Sequence, residues 1–237
     1  MVAKKLSISN MIQSRSEKKL WRNNLALFIS LLALIFAMPV IPIEDLTLTR
    51  IILGLIVVSG LFAAEFNKRV FRILFASGAM VILLTLLGFI ISSSRILDTL
   101  AFFANTLFFI VVTLALVAQV AQAKSADGST ILAAINSYLL IGLTASLLLL
   151  ILNIFAPQSF NQVDPDAATF SNFLYFGFVT LTTLGYGDIT PVTPMARSMS
   201  TFFALFGQLY LVIIMAMIIG KYLNSTGEDN NGKGERR

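Results

Sequence analysis

Residues 168–188 read ATFSNFLYFGFVTLTTLGYGD, and their length and composition constrain the fold. The stretch up to Leu181 is apolar and suits a helix, yet ~14 residues reach only ~21 Å, against a hydrocarbon core of ~30 Å. It cannot cross a membrane. After it come Thr182, Thr183, Leu184, Gly185, Tyr186, Gly187 and Asp188, then Pro191 and Pro194. Long apolar runs flank the segment at 131–155 and 195–223. A short helix that enters a membrane between two spans and returns as extended chain is a re-entrant loop. Such backbone survives at that depth only if it is buried in protein or lines a water-filled path.

The rest of the chain supports a membrane setting. Of 237 residues, 57% are hydrophobic and 12% charged, about half the charge of a soluble domain. The absence of His and Cys excludes disulfides, thiol nucleophiles, imidazole chemistry and Cys/His zinc sites. A net charge of +5 is too small and too segmented to suggest nucleic-acid binding. Further apolar runs at 24–43, 51–66, 73–91 and 100–123 complete an expected six spans, the second being the shortest. The first is read as a true span, because a cleaved signal needs a shorter core and a small-x-small site. Six spans put both termini on one side. That side receives fourteen basic residues, among them Lys18, Arg22, Arg72 and Lys221; the other receives only Arg50, Arg95 and Arg197. Lys and Arg collect on the cytoplasmic face, so both termini are expected there, in a multi-pass protein of the cell membrane.

Thr183-Leu184-Gly185-Tyr186-Gly187 resembles the selectivity filter of tetrameric potassium channels, over roughly residues 131–223. A potassium ion entering a pore must exchange its water shell for oxygens of similar number and field strength. Backbone carbonyls can supply them if consecutive ones face one axis. Ordinary strands alternate, so some positions need dihedrals open chiefly to glycine; Gly185 and Gly187 provide them. The resemblance implies that potassium is held by the carbonyls of Thr183, Leu184, Gly185 and Tyr186 and by the Thr183 hydroxyl. The competing reading is a surface turn built on Gly-Tyr-Gly-Asp, which the position between two spans disfavours. Thr182, Asp188, Tyr175 and Phe176 are expected to support the filter, the two aromatics by packing around it and Asp188 at the outer mouth. Leu184 departs from the commoner valine, and Val179 stands where some relatives carry a buried glutamate. The other outer carboxylates, Glu44, Asp45, Asp98, Asp164 and Asp166, read best as solvated loop residues.

Gly207 falls in the last span, where the family places a hinge; glycine also serves close helix packing. Gln208, Leu211, Met215 and Ile219 form a stripe that the resemblance assigns to the cavity, although Gln208 could instead bond a neighbouring helix. The fourth run, 100–123, holds no Lys, Arg, Asp or Glu. Charge moving through the field is what couples a span to voltage, so no conventional voltage sensor is expected.

The expected organisation is all-α: a cytoplasmic segment 1–23, a four-span bundle 24–123, a pore domain 131–223 and a disordered tail 224–237. The basic segment 1–23 reads as a positive-inside anchor without fixed structure, or as a weak amphipathic helix. One chain offers one filter strand, so a homotetramer in lipid is implied. The function implied is passive potassium conduction without cofactor, catalysis or nucleic acid. The alternatives are a nonselective cation channel and a non-conducting regulatory subunit.

Overall fold

The computed structural model describes residues 2–38, 46–63, 68–90, 95–123, 125–161 and 170–234. The helices are α1 (Val2–Ala37), α2 (Leu46–Phe62), α3 (Lys68–Ile90), α4 (Arg95–Gln122), α5 (Gly128–Phe155), α6 (Phe170–Leu181) and α7 (Pro194–Gly234). Two short strands, β1 (Phe160–Asn161) and β2 (Thr190–Pro191), pair antiparallel, Phe160 opposite Pro191. Of the outer carboxylates, Glu44, Asp45, Asp164 and Asp166 lie outside the described residues, as does the Asp98 side chain.

Among the described residues, five helices carry a stretch long and apolar enough to cross a membrane: Lys18–Ala37, Val70–Gly88, Thr99–Gln122, Gly128–Phe155 and Pro194–Leu223. The second expected run does not reach that length. The 17 residues of α2 span ~25 Å, and the helix stops at Phe62 although the apolar letters continue to residue 64, before Glu65. Its end is fixed by polar groups. The Ala63 N–H turns back to the Gly60 carbonyl, while the Asn23 and Asn24 amides donate to the carbonyls of Phe62 (2.8 Å) and Ala63 (2.6 Å). These are carbonyls that a helix end leaves without partners. Asn136 in turn donates to the Asn24 carbonyl at 2.8 Å. A buried amide cluster thus pins α1, α2 and α5 at one level.

The described helices also extend beyond the expected bounds. The segment read as an unstructured anchor is helical from Val2, and the Gly- and Asn-rich tail is helical to Gly234. Each continues a helix already formed, so added residues gain hydrogen bonds without a new nucleus.

Helix α5 starts on Asp127, whose carboxylate accepts from the Thr130 N–H at 3.1 Å, a side-chain N-cap. It is apolar on all sides and packs against α1, α4, α6 and α7. One hydrophobic core runs from Leu27, Leu31 and Phe108 through Leu140 and Leu174 to Tyr210 and Ile214, so the four-helix part and the pore part share it. The Lys221 ammonium donates to the carbonyls of Val120 (2.9 Å) and Ala121 (3.2 Å). A cation there satisfies and complements the C-terminus of α4.

Helix α6 is wedged between α5 and α7 by missing side chains. A Cβ at Gly177 would fall on the Ser146 hydroxyl, and one at Gly142 would sit 2.5 Å from the Phe178 ring. Small residues let helix axes approach in this way. The strand pair lies between α5 and α7 in the chain and joins the segments that flank α6. Val192 N–H donates to the Ser159 carbonyl at 2.8 Å, and Thr193 caps α7 by accepting from the Ala196 N–H, with Pro194 next to it. The cap followed by proline is a favoured helix start.

Candidate functional site

The chain leaves α6 by folding back on it. Thr183 N–H bonds to the Thr180 carbonyl at 3.0 Å, and both Leu184 (3.0 Å) and Gly185 (3.3 Å) donate to the Val179 carbonyl. Thr182 places its hydroxyl on the Phe178 carbonyl at 2.7 Å. The loop that follows is therefore anchored to the C-terminal end of α6, where about −0.5 charge resides. Val179 contributes through its carbonyl, and its side chain is buried.

Backbone handedness alternates along the loop. Thr183, Gly185 and Gly187 have φ of 60°, 55° and 80°. Left-handed dihedrals at every second position break the strand's habit of turning successive carbonyls to opposite sides. The glycines adopt them without cost. Thr183 does not: a β-branched residue at positive φ is a steric outlier, of the kind that costs ~1–3 kcal/mol. No sequence pattern announces such a position, because threonine is a poor residue for that backbone. Beside it, Gln208 brings its amide Nε2 to 3.5 Å from the Thr183 Oγ1. That contact joins two residues singled out separately from the sequence.

Tyr175 and Asp188 form the outer brace. The Tyr175 hydroxyl donates to the Asp188 Oδ2 at 2.6 Å, and the Ile189 N–H donates to Oδ1 at 3.0 Å. The Tyr175 bond, with a smaller contribution from Ile189, lowers the Asp188 carboxyl below its ordinary 3.8. The Tyr175 ring stacks on Tyr186 with centroids 6.5 Å apart and planes 9° from parallel. One residue of α6 thus holds both a loop ring and the Asp188 carboxylate. Phe176 is not brought to the loop. It meets Phe160 edge-on at 5.3 Å, in the cluster under the strand pair, on the face of α6 turned to α5 and α7.

Gly207 lies where α7 crosses the end of α6. A Cβ there would sit 2.5 Å from the Leu181 carbonyl oxygen and 2.7 Å from its Cδ1. Packing alone therefore requires glycine, and α7 continues unbroken through the position. Leu211, Met215 and Ile219 are exposed on the isolated chain, together with Phe202, Leu205, Leu209 and Val212. Exposure therefore does not single out the stripe.

An anchored short helix, a loop with repeated left-handed backbone and two flanking long helices define a pore-loop unit. Residues 135–224, from α5 through the loop into α7, match the family model described as "Ion channel". This part of the chain is similar to ion-channel domains, within a chain whose described helices are long and apolar enough for several membrane crossings. Its relatives include potassium channels. Over 68 residues it is 37% identical to "Two pore potassium channel c" of Oryza sativa subsp. japonica, covering 29% of this chain and 15% of that protein. Over 51 residues it is 41% identical to "Two-pore potassium channel 5" of Arabidopsis thaliana, covering 22% of this chain and 12% of that protein. The chain thus matches less than a sixth of the length of either relative.

Proposed function

We propose that the protein is a potassium-selective channel of six spans and four identical subunits, conducting passively through Thr183–Gly187. The observation that carries this reading is the left-handed backbone at Thr183, Gly185 and Gly187, in a loop anchored to a pore helix. It is the conformation that lets a run of carbonyls replace a potassium hydration shell. In the proposed pore, the carbonyls of Thr183, Leu184, Gly185 and Tyr186 and the Thr183 hydroxyl are the ligands.

Two further observations support the architecture. Helix α2 falls short by length, but its end at Ala63 bonds back to Asn24, where the apolar part of α1 begins. An antiparallel return to the starting level is what a second crossing requires, and with it both termini lie on the basic, cytoplasmic side. In one chain, Leu184 and Tyr186 are 55% and 68% exposed. Neighbouring subunits would cover both and close the ring. Gating by charge moving in the fourth span is not part of the proposal. Gln208, Leu211, Met215 and Ile219 are assigned to the cavity beneath the filter, and Gly207 to the bend that would open it.

Liposome flux with purified protein, potassium against sodium, tests the proposal. Uptake of potassium with exclusion of sodium is expected. Equal uptake of both would reassign the protein as a nonselective channel. Silence alone, with activity restored by a second pore-forming protein, would reassign it as a regulatory subunit.

A further inference from the structure

One face of α1 is left open by the described residues. Lys18, Lys19 and Arg22 are exposed on it, and at ~100° per residue they fall within one arc of about 100°. Ala26, Ile29, Ala33 and Phe36 continue the same arc through the membrane-crossing stretch. They are exposed as well, Phe36 at 71%. The opposite side, with Leu27, Leu31 and Leu34, is buried in the core. From Ala26 to Phe36 the helix rises ~15 Å, one leaflet of a hydrocarbon core of ~30 Å. The open face is therefore cationic at one end and apolar for one leaflet beyond it. At the cationic end the Trp21 ring, 46% exposed, stands beside Gly128 at the start of α5. An indole there suits the headgroup level of a bilayer. Asp127 is at this end too, but its carboxylate accepts from the Thr130 N–H at 3.1 Å and caps α5. Helix α3 starts at the same end, since Asn24 holds the Ala63 carbonyl, and it opens with Lys68 and Arg69. The local field is positive. A guanidinium and two ammonium groups suit a phosphate, which offers oxygens to several donors at once.

We infer that this face of α1 binds an anionic phospholipid, its phosphate on Lys18, Lys19 and Arg22 and an acyl chain along Ala26, Ile29, Ala33 and Phe36. Each basic side chain near the surface favours an anionic over a neutral lipid about fivefold. The inference rests on α1 crossing the bilayer, and not on ion selectivity or on the number of subunits.

The test uses the full chain in phosphatidylcholine nanodiscs holding a trace of phosphatidylglycerol with a diazirine on its acyl chain. Labelled peptides are located by mass spectrometry. Labelling of the α1 stretch is expected to exceed that around Leu107 and Leu114, exposed residues in the uncharged part of α4. Unlabelled phosphatidylglycerol should displace the probe from α1, about tenfold or more better than phosphatidylcholine does. Glycerol phosphate carries the headgroup chemistry without the chains and should not displace it. Replacing Lys18, Lys19 and Arg22 together by glutamine should abolish the preference for the anionic lipid, with helix content by circular dichroism unchanged. Lys18→Arg, Lys19→Arg and Arg22→Lys together keep the charge and should keep the preference, and Arg197→Gln should leave it unaltered. The inference is overturned if phosphatidylcholine displaces the probe as well as phosphatidylglycerol, or if the glutamine variant retains the preference. It is equally overturned if glycerol phosphate displaces the probe as well as the lipid, or if α1 stays unlabelled because a second copy of the chain covers it.

Discussion

Replacing Gly207 with alanine separates two reasons for a glycine in α7. If the position serves only as a flexible joint, alanine removes a helix-weakening residue. The chain should then gain up to ~1 kcal/mol. The structure gives the opposite sign. The new Cβ would lie 2.5 Å from the Leu181 carbonyl oxygen and 2.7 Å from its Cδ1. The Leu181 side chain can turn aside, but its carbonyl is backbone at the end of α6 and moves only with the helix. Overpacking of this kind costs ~1–3 kcal/mol. Set against the propensity gain, the net effect is a loss of up to about 2 kcal/mol. Gly220 supplies the control in the same helix, because a Cβ there meets nothing within 4 Å; Gly220→Ala should stabilise by ~0.4–1 kcal/mol. Unfolding in mixed micelles by titrated SDS measures both. Gly207→Ala stabilising as much as Gly220→Ala would refute the packing argument and leave the hinge as the sole reason for the glycine.

Other expectations follow from single contacts. Gly185→Ala, placed at φ 55°, should assemble but lose potassium flux, since alanine resists that backbone; unchanged flux would contradict the assigned ligands. Tyr175→Phe removes the donor to Asp188 and should shorten the time that flux is sustained without changing helix content by circular dichroism. Because the Asp188 carboxyl is held below its ordinary value of 3.8, the brace is present above that pH and is lost only as the pH falls through the lowered value. Flux of the parent protein should therefore stay level on outer acidification from neutrality to about pH 5, and a fall centred above that would contradict the brace. Lys221→Met removes two bonds to the C-terminal carbonyls of α4 and should cost ~0.3–1 kcal/mol in the same micelle titration.

Much of this arrangement is legible in the sequence, for physical reasons. Lipid demands uninterrupted apolar runs, so α1, α3, α4, α5 and α7 stand out as letters, and the length of 168–181 marks a helix that cannot cross. The loop after α6 is legible because left-handed backbone calls for glycine at 185 and 187. What escapes the sequence is whatever depends on long-range geometry. The end of α2 is set by two asparagines 39 positions earlier, and apolar letters past Phe62 hide it. Tyr175 and Phe176 look alike as neighbours, yet successive helix residues point about 100° apart; one reaches Asp188 and the other Phe160. Thr183 conceals its strained backbone because threonine is the wrong residue for it. The packing demand at Gly207 exists only once the helices are assembled.

The central claim is that backbone oxygens of Thr183–Gly187 select potassium. It is tested most directly by the reversal potential of purified channels in a planar bilayer, with potassium on one side and sodium on the other. The account predicts a reversal far from zero, with a sign showing that potassium carries nearly all the current. A reversal at zero, with steady current in both directions, would contradict it.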